Sequence, residues 1–293
     1  MKKIVSTFIL SLAFAASVFA GSTPDKAKIS SNFDDLGKSF ASALPQVSGM
    51  QNIYADAFIG KIFPTAIPHF GAGVNGAIIK ADTSALVKIF DELDLSAGGV
   101  NDTMYLPSAS GDIRLGGVIL PFDVGFVFLK TPNINVSDIS LGFSTFGVDV
   151  RYALLEDGIA CPGLSVGLGY LYNGINFGYS KRDSEVNFDA GIHSIYTTVQ
   201  VSKSILFVTP FAGARFMVSS HNVDWKWDLG SGIKDSGTSS SDGFDFGNLQ
   251  TQLYLGCGLD FFVFQTTLTG MVDVAHADDS KAFSGTLSFR VRL

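Results

Sequence analysis

The sequence has two cysteines in 293 residues, two tryptophans, nine prolines, and charged side chains at only 16% of positions. Two cysteines are too few for a disulfide scaffold. Cys161 falls in an expected turn and Cys257 in mid-strand, so a bridge between them is not expected, since it needs Cα atoms within about 7 Å. No cysteine lies near position 20, which argues against an acyl-anchored lipoprotein. After Ala20 no apolar run reaches the length of about 18 residues that a spanning helix needs. Basic residues do not dominate either. The formal charge of −7 becomes −9 once Lys2 and Lys3 are removed with the leader, and nucleic acid is not an expected partner.

Catalytic and metal-binding patterns are also missing. His69, His193, His221 and His276 are far apart and in no ligand spacing. Gly167-x-Gly169 is not followed by a helix, so it is better read as strand glycine than as a phosphate loop. No Gly-x-Ser-x-Gly elbow precedes a helix. Neither an enzyme nor a cofactor is expected.

What remains is an apolar, aromatic, glycine-rich chain with mean hydropathy +0.31, 26 Phe and 32 Gly. A soluble domain carries charge at about a quarter of its positions, so something other than water is expected to cover part of this surface. Lys2 and Lys3, the apolar run Ile4 to Phe19 and the close Val18-Phe19-Ala20 read as a secretory leader cleaved after Ala20.

Beyond the leader the dominant period is two. Phe283, Gly285, Leu287, Phe289, Val291 and Leu293 alternate with Ser284, Thr286, Ser288, Arg290 and Arg292. Residues 249–263 and 146–154 alternate in the same way, and Ile113, Leu115 and Ile119 oppose Asp112 and Arg114. In a soluble sandwich the apolar face would turn inward; in a membrane barrel it would meet lipid. The terminal strand, the phenylalanine content and interior glycines such as Gly167, Gly169, Gly256 and Gly258 favour the barrel.

Strands are predicted over 50–62, 67–80, 109–120, 121–131, 139–154, 163–180, 187–203, 205–220, 248–264, 266–276 and 282–293. With both termini of the barrel on one side the number should be even. The expected fold is therefore a closed antiparallel transmembrane β-barrel of 10–14 strands, twelve preferred, over residues 49–293. Short turns at Leu120-Pro121-Phe122, Ser202-Lys203-Ser204 and Phe264-Gln265-Thr266 should face the periplasm, with longer loops such as 219–247 outside. Trp225, Trp227, Tyr170, Tyr172 and Tyr179 are candidates for an interfacial girdle.

Two segments break the period. Asn32 can cap a helix with Phe33, Leu36, Phe40 and Leu44 on one face and Pro45 as its stop, so residues 21–48 are expected to plug the lumen or to form a leader at its mouth. A second helix is expected over 82–95, with Leu86, Ile89, Phe90 and Leu93 on its stripe. The lumen-facing candidates are Asp112, Arg114, Asp149, Arg151, Arg215, Asp260, Asp273, Arg290 and Arg292. In a narrow barrel these must pair and fill the pore, which is the favoured reading; in a wide one they would line a weakly selective aqueous path.

Residues 108–117, running into Leu120-Pro121-Phe122-Asp123-Val124-Gly125, and residues 162–170 resemble outer-membrane barrel proteins of spirochaetes and Bacteroidetes-type bacteria. The resemblance covers roughly residues 105–175 and implies location and architecture. A looser likeness is to outer-membrane long-chain fatty-acid transporters, which also plug a barrel N-terminally; their Asn-Pro-Ala segment is absent here. The expected function is a porin-like barrel passing or binding small or hydrophobic solutes. The alternatives are a structural or adhesive surface barrel acting through residues 81–107 and 219–247, or a soluble periplasmic lipid-binding β-sandwich. Expected partners are outer-membrane lipid, the barrel-assembly machinery and a small hydrophobic solute.

Overall fold

The structure, a computed structural model, describes residues 24–60, 69–95, 101–116, 121–131, 133–136, 138–230, 232–276 and 283–293. The leader over 1–20 and its cleavage point lie outside these residues. Alternating strands follow one another as β1 (His69–Asp82), β2 (Thr103–Gly116), β3 (Phe122–Lys130), β4 (Ile134–Val136), β5 (Ile139–Leu155), β6 (Gly163–Lys181), β7 (Ser184–Ser202), β8 (Val208–Asp228), β9 (Lys234–Ser240), β10 (Gln250–Phe261), β11 (Phe264–Asp273) and β12 (Phe283–Arg292). All pairings are antiparallel. The sheet closes because β12 pairs with β1 from Gly71↔Arg292 to Ile79↔Ser284, and β10 pairs back to β8 from Gln250↔Met217 to Leu259↔Val208.

The closed ring has ten strands, not the preferred twelve. The short β4 pairs with β5, and β9 pairs with the upper part of β8 over Asn222–Asp228; both lie off the ring. The strand expected over 50–62 is not one. Its residues through Gln51 finish a helix, and Ile53, Ala55, Ala57 and Ile59 follow in an irregular segment buried inside the barrel. Their alternation imitates a strand because the segment is enclosed on several sides at once.

The first helix, α1 (Lys26–Gln51), is longer at both ends than the sequence suggests. Asp25, not Asn32, is its N-cap, accepting from the amides of Ala27 and Lys28 at 3.1 and 3.3 Å. Pro45 does not stop it. A proline inside a helix costs about 3 kcal/mol in isolation; here the barrel wall encloses the helix, and every residue from Ala43 to Gln51 is buried. The second helix, α2 (Ser84–Glu92), buries Leu86, Ile89 and Phe90 over the end of the lumen.

Along the tall strands the polarity inverts. On β7 the inward side chains are Val186, Phe188, Ala190 and Ile192, then Ser194, Tyr196, Thr198, Gln200 and Ser202; the outward ones are Glu185, Asn187 and Asp189, then Ile195, Val199 and Val201. On β8, Val223, Trp225 and Trp227 face in while Asn222, Asp224 and Lys226 face out, and lower down Arg215 faces in and Phe216 out. The upper part therefore has the dry interior and wet surface of a soluble protein. The lower part has a polar interior and an apolar exterior, with Leu168, Leu255, Leu268 and Phe289 more than half exposed. Such an exterior suits hydrocarbon, where unpaired backbone groups are excluded by closing the sheet.

Three sequence expectations change. Trp225, Trp227 and Tyr179 form no girdle: they are buried in the upper core, whereas Tyr170 and Tyr172 face outward beside His193. The polar stretch 219–247 is not one loop, because β8 continues to Asp228 and β9 returns along it. The turn expected at 264–266 is instead Phe262-Val263, and at the tall end β6 and β7 are joined by only Arg182-Asp183.

Candidate functional site: the helix-filled lumen

Helix α1 runs through the lumen with its N-terminus at the tall end. In the upper zone Phe33 stacks on Trp225 (centroids 5.0 Å apart) and on Phe188 (6.0 Å), and Phe40 meets Phe188 at 5.9 Å. Leu36 and Leu44 join the same core, to which α2 adds Phe90, edge-on to Tyr179 at 5.5 Å. Aromatic pairs in these geometries add about 0.5–1.5 kcal/mol each beyond area burial.

Below, contacts turn polar. Gln46 Nε2 donates to Ser284 Oγ at 2.9 Å, Ser48 Oγ donates to Asn173 Oδ1, and Gln51 Nε2 donates to Ser108 Oγ at 3.1 Å. The last carbonyls of a helix lack partners and carry the negative end of its dipole. The helix has no basic residue in its final turn; the barrel wall supplies three. Arg215 Nη2 donates to Gly49 O at 2.8 Å, Arg290 Nη2 to Gln51 O at 3.0 Å, and Arg114 Nη2 to Asn52 O at 3.3 Å. Tyr54, just beyond, lies between two of these guanidiniums, with Arg290 4.1 Å and Arg114 5.1 Å from its ring centroid.

Each arginine is placed by its own neighbours. Arg114 bridges Asp123 at 2.5 Å and Asp149 at 2.7 Å, and Asp123 also takes Arg151 at 2.6 Å. Arg290 binds Asp112 through Nε at 3.1 Å, and Asp112 accepts from Asn75 at 2.7 Å. Arg292 joins Asp56 and Asp260, with Gln265 donating to both carboxylates. Arg215 is the exception: it lies over the rings of Tyr196 (4.7 Å) and Tyr254 (5.9 Å) and spends one N–H on the helix end. Glycines in the wall make room for these side chains. A Cβ on Gly125 would sit 2.3 Å from Arg114 Nη2, and one on Gly169 would sit 2.2 Å from the Tyr196 ring.

The nine lumen candidates thus fall into separate groups. Arg114, Asp149 and Arg151 form one cluster, Asp112 and Arg290 a second, Asp260 and Arg292 a third. Arg215 meets the helix alone, and Asp273, at the far end of β11, accepts from the amides of Thr251 and Ala275. The sequence reading missed Asp123 and Asp56. Asp123 was within reach, since it alternates with Phe122, Val124, Phe126 and Phe128 on β3. Asp56 lies in the irregular segment, where no period marks it.

Among the described residues no group of three His, Cys, Asp or Glu is arranged to hold a metal, and the charged groups serve the helix and one another. Cys161 is exposed in the turn before β6 and Cys257 lies on β10.

No protein-family model matches the sequence, and no curated protein matches it. Solved structures similar to it are outer-membrane β-barrels. The outer-membrane protease OmpT of Escherichia coli is 8% identical with a TM-score of 0.45, covering 77% of this chain and 93% of its own. The translocator domain of the autotransporter NalP of Neisseria meningitidis is 9% identical with a TM-score of 0.44, covering 94% and 99%. A major outer-membrane protein of Thermus thermophilus is 10% identical with a TM-score of 0.33, covering 77% and 99%. No activity is transferred from any of them.

Proposed function

We propose that this chain is an outer-membrane barrel that is closed by its own N-terminal helix and acts at the cell surface through its tall end, rather than as a standing solute channel. The observation that carries this reading is the occupancy of the lumen: α1 packs in a dry aromatic core above and ends on three wall arginines below. Buried charges at this density are tolerated when they are paired and hydrogen-bonded, which favours a filled structural interior over a water path. The tall end, built from β6 to β9 with α2, presents a polar surface carrying Glu185, Asp189, Asp224, Lys226 and Asp235.

The test is electrophoretic mobility of detergent-folded protein, boiled against unboiled, together with planar-bilayer conductance of the same sample. A heat-modifiable band with no conductance steps is expected. Discrete steps from the intact protein would reject the closed-barrel reading and restore solute passage; a protein soluble without detergent would reject the membrane reading.

A further inference from the structure

Ten strands bring a chain back to the side from which it started. Here the lumenal helix adds an eleventh traversal. At its N-terminal end the Asp25 amide donates to Glu92 of α2 at 3.2 Å, and Lys26 Nζ donates to the Lys234 carbonyl of β9 at 3.2 Å and faces Asp235 at 3.6 Å. Asp34 accepts from Ser239 of β9. All of these belong to the tall end. Past the other end of the helix, the Ala57 amide donates to Ser202 Oγ at 2.8 Å and the Ile59 amide to Asp123 at 3.0 Å, beside the turn at 203–207 and the start of β3. Strand β1 then starts at that same end, where the Phe70 amide donates to the Leu293 carbonyl at 2.9 Å.

We propose that the barrel carries the start of its own lumenal helix across the membrane and presents Asp25 and Lys26 on the outer face. The inference rests on the outer-membrane reading above, in which the short turns face the periplasm. An exported chain arrives on the periplasmic side, so Asp25 and Lys26 cross to the far end when the helix is laid into the lumen. The exit there is open to water: the Lys26 and Lys28 side chains are 59% and 66% exposed. The wall fits the helix closely, since a Cβ added to Gly37 would lie 2.5 Å from Val223 Cγ2.

The experiment uses the full chain in cells and a membrane-impermeant maleimide. One protein carries Cys257→Ser and keeps Cys161 as the reporter of the short-turn end; the other carries Cys161→Ser, Cys257→Ser and Lys26→Cys. Heat-modifiability shows that each has folded, and an epitope inserted between Pro24 and Asp25 gives a second reading by antibody on intact cells. Lys26→Cys is expected to label in intact cells as fully as after the outer membrane is permeabilised, and Cys161 only after permeabilisation. Lys26→Cys labelling only after permeabilisation, with Cys161 behaving as expected, would overturn the display of the N-terminal end and leave the closed barrel standing. Cys161 labelling from outside while Lys26→Cys does not would overturn both, because the barrel would then face the other way.

Discussion

Replacing Asp123 by alanine removes the centre of the lower lumen. The carboxylate is fully buried and accepts four hydrogen bonds: from Arg114 Nη1 at 2.5 Å, from Arg151 Nε and Nη2 at 2.8 and 2.6 Å, and from the Ile59 amide at 3.0 Å. Arg114 keeps Asp149, but Arg151 keeps the Asp56 carbonyl at 2.9 Å and no carboxylate from this cluster. The cluster of Arg114, Arg151, Asp123 and Asp149 passes from neutral to a net positive charge in a site that water does not reach. Breaking a buried pair from one side costs about 3–5 kcal/mol, which lowers the folded-to-unfolded ratio by roughly a hundredfold or more. Urea titration of the detergent-folded protein, read by the unboiled band, measures it. Removing Arg151 as well, as Asp123→Ala with Arg151→Met, should recover much of the loss, since both halves of one pair are then gone. A single variant within about 1 kcal/mol of the parent, the level of solvent-exposed pairs, would mean that water screens these charges and that the lumen is wet.

Phe33→Ala empties the stack between Trp225 and Phe188, and should loosen α1 by about 3–5 kcal/mol; limited proteolysis of α1 in folded barrels is the readout, and unchanged resistance would count against the aromatic anchor. Gly116→Ala would place a Cβ 1.9 Å from the Ile59 carbonyl oxygen, where backbone has to move, so a loss of at least the roughly 1–3 kcal/mol of an overpacked core is expected in the same urea assay. In the turn before β6, burial raises the Asp157 pKa, but hydrogen bonds from Lys203 and Ser204 outweigh it and hold the group below the usual carboxylate range. A depressed folded pKa stabilises above the unfolded value of 3.8 and is lost as pH falls through the folded one. Asp157→Asn should therefore cost no more than about 1 kcal/mol at neutral pH, as for other partly exposed pairs, and should converge with the parent in acid; a difference that persists at low pH would refute the ion pair as its cause.

Periodicity of two is a local property, so the sequence alone settled that this is an antiparallel sheet with a charged and an apolar face. The closing strand Phe283 to Arg292 shows this most clearly, with Arg290 inward and Phe289 outward. The stripe of Phe33, Leu36, Phe40 and Leu44 marked a helix for the same reason. The ring of ten was not legible, because Ile53, Ala55, Ala57 and Ile59 alternate like a strand and only the wall around them shows that the segment lies inside the barrel. Nor could the sequence place Trp225 and Trp227, since an inward aromatic looks the same as an outward one until something is found to cover it. Pro45 in mid-helix and Tyr54 between Arg114 and Arg290 depend on a wall assembled from strands along the whole chain, from β1 to β12. Local pattern fixes which side chains share a face; which face is inside, and what fills the space it encloses, is decided only when the sheet closes around the helix.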